Sequence, residues 1–199
     1  MLQELWNRSY AWDEDVQDEV ANRIQLWFIQ LSSLANVNIP RCLQDQQPVK
    51  SKDVVTFVDP FQQAYGASSY LRCEYEDRTV PSRLLASMSK DAPLTPPDRT
   101  EAGVNGSHSL GLRLTQSVSR TLGLHIKAAA FYSDSTDLLW WIEISGALSQ
   151  IALEKYKIST EPSQWQHVST DENPTDVCSR GTSPVELAES GVLTMVKWS

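Results

Sequence analysis

Two short runs of apolar residues in this chain stop on an aspartate. Val54-Val55-Thr56-Phe57-Val58 ends at Asp59, and the run from Ile126 to Tyr132 leads through Ser133 to Asp134. Runs rich in β-branched and aromatic residues read as strands. A carboxylate at the C-terminal tip of a strand stands on the sheet edge where ligands bind in open α/β sheets. If the two strands are parallel neighbours, both carboxylates share that edge. Like charges so placed repel, and they need either protonation or a cation. Aspartates without Cys or His at ligand spacing suit a hard, oxygen-seeking ion such as Mg²⁺ or Mn²⁺. The second site has a competing role. In Ser133-Asp134-Ser135-Thr136, any of Ser133, Asp134 or Ser135 can cap the helix that carries Leu138 to Ile142.

The elements that must position these acids can be read along the chain. Val16, Val20, Ile24, Trp27, Leu31 and Leu34 recur at helical spacing, which predicts one helix over Asp13–Leu34 with acids at its N-terminal end. Pro40 and Pro48 mark an extended connector. Strands are expected at Val54–Asp59, Ala67–Tyr75 and Val80–Met88. The Glu76-Asp77-Arg78 link is short enough to make the last two an antiparallel hairpin. Pro60 blocks simple continuation of the first strand. Pro93, Pro96 and Pro97 define a loop. Asp98 is placed to cap a helix through about Leu122, which Gly103, Gly106 and Gly111 weaken by about 1 kcal/mol each relative to Ala. A strand at Ile126–Ser133, a helix to about Ile144, a helix or strand at Ser149–Ile158 and a short strand in Ser163–Ser169 follow. Asn173–Arg180 reads as a helical turn, and Ser183 to Glu186 is a capping box opening a last helix. The economical closure is one sheet with the fourth strand parallel to the first.

Composition bounds the rest. At 199 residues with 41% hydrophobic content and seven Trp, the chain buries a proper core. No apolar run approaches the length of a membrane span, and the polar, acidic start is unlike a signal peptide. Three scattered cysteines, Cys42, Cys73 and Cys178, fit reduced thiols better than a disulfide framework or a zinc site. The net charge of −8 counts against a stand-alone nucleic-acid binder, unless a metal or a neighbouring domain supplies the positive field.

Ordered motifs then carry a resemblance. "LQELWNRSYAWDEDV", "IPRCL", "FVDPFQQAYGASSYLR", "APLTPPDRTEAG", "YSDSTDLLWWI" and "WQHVSTDENPTDVCSRG" follow one another as in the ribonuclease H region of BEL/Pao-type long-terminal-repeat retrotransposon polyproteins, with the segment joining it to the reverse transcriptase. The chain resembles that family over most of its length. The resemblance implies an α/β fold: a ribonuclease-H-like mixed five-stranded sheet, three antiparallel strands then parallel ones, flanked by helices and preceded by an added N-terminal helix. It implies an N-terminal helix and connector over 1–48, the ribonuclease-H-like domain over 49–182 and a helical extension over 183–199. By motif, Asp59, Glu101, Asp134 and Asp176 would be the catalytic, metal-holding carboxylates. The implied activity is hydrolysis of the RNA strand of an RNA–DNA hybrid with two Mg²⁺ or Mn²⁺ ions. Asp59 would bridge the ions, Glu101 and Asp134 complete one shell, and Asp176 hold the other. A reverse transcriptase domain in the same polyprotein is the implied partner, and a cytoplasmic virus-like particle, or the nucleus, the implied location.

The sequence departs from the family pattern in places. Pro60-Phe61 replaces small residues beside the supposed bridging ligand. The helix after Glu101 is glycine-rich, which is expected to loosen the support of the site. No histidine stands in Ser169–Glu172, where many ribonucleases H carry one. His167 reads as structural, and His108 and His125 as surface groups. These departures and the acidic charge favour an alternative, a weak or inactive ribonuclease-H-like interaction module of retroelement origin. A retropepsin-like protease is excluded, because Asp134-Ser135-Thr136 lacks the glycine that its turn needs.

Overall fold

The computed structural model describes residues 2–40, 42–92, 99–124, 129–144 and 160–193. Its centre is strand β1 (Val49–Pro60), buried on both faces from Val54 to Asp59. β1 pairs antiparallel with β2 (Ala64–Tyr75), and β2 pairs antiparallel with β3 (Ser82–Asp91). On its other side β1 runs parallel to β4 (Ala130–Ser133), which runs parallel to β5 (Trp165–His167). The sheet order is therefore β3-β2-β1-β4-β5. The expected parallel closure is present.

β1 begins five residues before the apolar run that reveals it. Its first half is rich in charge, with Lys50, Lys52 and Asp53, and cross-strand pairs between Lys50 and Glu74 and between Asp53 and Arg72 support it. In the hairpin between β2 and β3, Asp77 Oδ1 accepts hydrogen bonds from Thr79 N (2.9 Å) and Thr79 Oγ1 (2.6 Å), while Arg78 takes a left-handed φ of 68°.

Helix α3 (Arg99–Leu122) covers one face of the sheet. Val54 and Val58 of β1 pack there with Val104, Leu110 and Leu114. The helix glycines, expected to loosen the site, instead allow close approach. A Cβ at Gly111 would lie 2.5 Å from Val58 Cγ1, and one at Gly106 would fall 2.6 Å from the Tyr65 ring. The missing side chains let α3 sit close on β1 next to Asp59 and on the start of β2. On the opposite face Val55, Phe57 and Tyr70 form a second cluster, in which Phe57 stacks on Tyr132 at 5.4 Å between ring centroids. Two short helices, α5 (Asp176–Arg180) and α6 (Pro184–Glu189), follow β5, and α6 carries the expected capping box between Ser183 and Glu186. Between β4 and β5 lies α4 (Thr136–Ile144); the element expected at Ser149–Ile158 lies outside the described residues.

The N-terminal part differs from the single helix expected over Asp13–Leu34. It comprises α1 (Leu2–Asn7), α2 (Asp18–Gln30) and a 3₁₀ turn over Leu31–Asn36. Asp13–Asp15 stay outside α2, where the Glu14 carboxylate instead accepts a hydrogen bond from the Ala11 amide (3.0 Å). The 3₁₀ turn packs mainly against α6. Val20 is fully buried and Leu31 and Leu34 half-buried, whereas Trp27, expected at the packed face, is exposed beside Phe28 and Ile29. No helix among the described residues is long and apolar enough to cross a membrane.

Candidate metal centre

The parallel register sets the site. Val58 of β1 stands opposite Ser133 of β4, so the next residue of each strand, Asp59 and Asp134, emerges at the same C-terminal edge. Strand alternation turns Asp59 away from α3 and toward α5, whose first residue is Asp176. Oxygens of Asp59, Asp134 and Asp176 all lie within 4.8 Å of one another. Asp59 is buried, and the other two are half-buried. Gly66, opposite Asp59 in register, makes room for α5: a Cβ there would lie 3.0 Å from Thr175 Cγ2 and 3.1 Å from Cys178 Cβ.

Each acid has a different neighbour. Asn173 Nδ2 donates to Asp134 Oδ1 (2.9 Å) and to the Val58 carbonyl (3.3 Å), tying the two strand tips together. Its own Oδ1 accepts from the Thr175 amide (3.1 Å), which sets the turn into α5. The Ser179 hydroxyl donates to Asp59 Oδ2. Arg180 Nε forms an ion pair with Asp176 Oδ1, but without the alignment of a hydrogen bond, and this buried oxygen has no hydrogen-bond partner among the described residues. The Arg180 guanidinium lies over the Phe61 ring, 5.1 Å from its centroid.

Burial pushes the Asp59 carboxyl up to about 6. The charges of Asp134 and Asp176 add to that rise, while the Ser179 hydrogen bond and, more weakly, Arg180 oppose it. A carboxylate held unwillingly charged beside two others, one with a buried oxygen met by an ion pair and no hydrogen bond, is suited to a divalent cation. The donor set is all carboxylate oxygen, which fits Mg²⁺ or Mn²⁺ better than zinc.

Of the residues singled out in the sequence, Asp59, Asp134 and Asp176 come together. Glu101 lies in the first turn of α3, and its side chain is outside the described residues. The cap at α4 falls to Ser135, whose Oγ accepts from the Leu138 amide (3.2 Å), which leaves Asp134 to the cluster. His108 is not a surface group. It is buried against Trp165, with ring centroids 5.0 Å apart, and burial pulls its pKa down to about 4. His167 is exposed at the end of β5, and His125 lies outside the described residues. The three cysteines are free. Asn173, Ser179 and Arg180 carried no role in the sequence reading, although the motifs "NPTD" and "SRG" contain them. The signal was their spacing around Asp176: three residues before it, three after and four after.

A mixed five-stranded sheet in this order, with helices on both faces and acids at the tips of β1 and β4, defines an RNase H-like domain. The chain belongs to the Pao retrotransposon-like RNaseH-like domain family, whose sequence model matches residues 1–135. Asp59, Glu101 and Asp134 fall within that stretch. Asp176 falls outside it and joins the site by its position in space. Similar solved structures include Thermus thermophilus RuvC (15% identity, TM-score 0.33, covering 70% of this chain and 78% of that one). Another is an N-terminal RNase H domain from Mycobacterium tuberculosis, solved as a fusion with maltose binding protein (14% identity, TM-score 0.32, covering 71% of this chain and 99% of that one). No curated protein sequence matches the chain.

Proposed function

We propose that this domain is a metal-dependent endonuclease that hydrolyses the RNA strand of RNA–DNA hybrids during retroelement reverse transcription. The observation that carries the reading is the convergence of Asp59, Asp134 and Asp176 within 4.8 Å, on the edge formed by two parallel strand tips. These three, with Glu101 from the start of α3 as the fourth acid, would hold two Mg²⁺ or Mn²⁺ ions. When bound, such ions activate water near neutral pH and offset charge on the scissile phosphate. The chain's own residues prepare that site. Asn173 fixes the Asp134 carboxylate through Nδ2, and the Ser179 hydroxyl fixes that of Asp59. Orientation of ligands by their neighbours governs metal affinity. The raised pKa of Asp59 makes protons compete with metal below about pH 6.

Substrate binding needs a positive field that a chain of charge −8 lacks overall. The reading therefore includes a basic neighbour, a reverse transcriptase domain of the same polyprotein, and weak hybrid affinity for this fragment alone. One observation favours a second reading, a ribonuclease-H-like interaction module without activity: Arg180 already supplies positive charge at Asp176. Hydrolysis of a labelled hybrid with Mg²⁺ or Mn²⁺, with chelator as control, separates the two. The fragment is assayed alone and fused to a basic hybrid-binding module. Metal-dependent cleavage lost in Asp59→Asn supports the nuclease. No cleavage by the wild-type fusion leaves the interaction module.

A further inference from the structure

Asp176 differs from its two companions in how its charge is met. Asp59 and Asp134 each accept a hydrogen bond from a neutral side chain, Ser179 and Asn173. Among the described residues Asp176 is met instead by a full positive charge, and Oδ1 accepts no hydrogen bond. Arg180 is not locked in place. Its side chain is 49% exposed, its partner lies one turn away on a five-residue helix, and an i,i+4 pair with one exposed member is held less firmly than a fully buried one. What seats the guanidinium is the face of Phe61, in the connection that leaves β1 directly after Asp59 and Pro60. The "PF" and "SRG" segments, unexplained by the acid set, thus meet at the rim of the cluster.

We propose that Arg180 is a built-in counter-ion of the carboxylate cluster. A divalent cation must displace it from Asp176, and the freed guanidinium, still seated on Phe61, then binds a phosphate of the nucleic-acid strand. This deepens the nuclease reading and rests on it. The physics is substitution of charge. Three carboxylates within 4.8 Å need positive charge to stay ionised together, and a half-exposed guanidinium supplies it until a divalent ion brings more. The ion and Arg180 repel each other, so one site on Asp176 cannot serve both. A guanidinium released beside bound metal is a fork suited to phosphate oxygens, which an ammonium matches only as a point charge. Arg180 is in this sense a substrate-binding residue.

The test measures Mn²⁺ binding without substrate, by electron paramagnetic resonance, in wild type, Arg180→Gln and Arg180→Lys. Arg180→Gln is expected to bind Mn²⁺ about three- to tenfold tighter, because the competitor is gone. It is also expected to melt earlier than wild type in chelator and to gain more from added Mn²⁺. Unchanged or weaker binding in Arg180→Gln overturns the proposal and leaves the nuclease reading standing. Binding by Arg180→Gln but not by wild type supports the proposal in its strongest form. Absence of binding in both overturns the proposal and the metal site together. Where wild type cleaves, Arg180→Gln should raise KM for hybrid about fivefold or more with kcat little changed, and Arg180→Lys should restore part of that loss. A fall in kcat at constant KM contradicts the phosphate role.

Discussion

Thr56 and Asp59 lie three residues apart on β1. Both are buried, and they face opposite layers of the molecule. Thr56 faces α3 and joins a chain of hydroxyls. Thr115 Oγ1 donates to the Gly111 carbonyl (2.8 Å), so its contact with Thr56 (2.6 Å) must be donated by Thr56, and the contact of Thr56 with Ser69 (2.7 Å) by Ser69. Each hydroxyl donates once, and the chain ends on a backbone acceptor. Asp59 faces α5 and meets two more acids, one of which has a buried oxygen held by the ion pair with Arg180 and by no hydrogen bond among the described residues. One strand thus carries a polar group whose surroundings complete it and another whose surroundings do not. The first arrangement stabilises the fold. The second is what a binding site looks like before its ligand.

The largest expected effect comes from removing the incomplete group. Asp59→Asn should lower metal-dependent hybrid cleavage by about a thousandfold or more, because an amide cannot share the charge of clustered cations. The same change should raise apo stability by ~1 to 2 kcal/mol, since it relieves both burial of charge and carboxylate repulsion. Chemical denaturation in chelator measures this. A destabilised apo Asp59→Asn would show that Ser179 and Arg180 already satisfy the site, and the contrast with Thr56 would vanish.

Acid sharpens the contrast, because two buried groups titrate with opposite sign. His108 has a pKa of about 4 in the fold against 6.5 when free. As pH falls below 6.5 the unfolded chain binds a proton that native His108 refuses. Stability is therefore lost from about pH 6.5 down to about 4, by up to ~3 kcal/mol. Asp59 runs the other way. Its pKa rises from 3.8 to about 6 on folding, so the native state binds the proton first and gains stability as pH falls from about 6 to 3.8. Between pH 6 and 4 the two nearly offset each other. Stability of Asp59→Asn should fall relative to wild type across that window, and stability of His108→Gln should rise. Denaturation midpoints of the three proteins at pH 4, 5, 6 and 7 test the signs. Parallel curves would mean that neither group is held as the structure indicates.

A smaller effect is expected one step out from the acids. Asn173→Ala removes the donor that ties Asp134 to the tip of β1 and should weaken Mn²⁺ binding about 10- to 100-fold while the three clustered acids remain. Isothermal titration of Mn²⁺ measures it, and an unchanged affinity would confine Asn173 to the turn before α5.

How much of this could be read in the sequence depends on what each residue does. β4 and the second half of β1 announce themselves because buried parallel strands are continuously apolar. The first half of β1 did not, since Lys50–Asp53 belongs to a stretch held by cross-strand charge pairs. The acids were legible as strand-then-aspartate or by motif. Asn173, Ser179 and Arg180 were not, because their roles exist only once α5 packs on the sheet edge at Gly66. The burial of His108 was hidden for a related reason. A polar ring between a serine and another serine in α3 looks solvated until Trp165 from β5 closes over it. The split of the N-terminal helix was also hidden. Its apolar stripe runs on through Leu31 and Leu34, but those residues lie in a 3₁₀ turn that packs on α6.

The smallest expected effect tests the completed side of the comparison. Thr56→Val keeps the shape and the β-branching of the side chain and removes one hydroxyl. Ser69 then loses the acceptor of its proton, and Thr115 loses an incoming donor but keeps its bond to Gly111. One buried hydroxyl is left without a partner, and the cost should be about 1 to 2 kcal/mol. Metal binding should not change, because Thr56 faces α3 and the acids face α5. The double change Thr56→Val with Ser69→Ala removes both ends of that bond and should cost less than the sum of the single changes, since no orphan donor remains. The sign of the apo stability change is the decisive reading. Thr56→Val must destabilise and Asp59→Asn must stabilise, though the residues share a strand and a degree of burial. If both destabilise to a similar extent, the two buried polar sites are equivalent, and the carboxylate edge loses its distinction as the incomplete one.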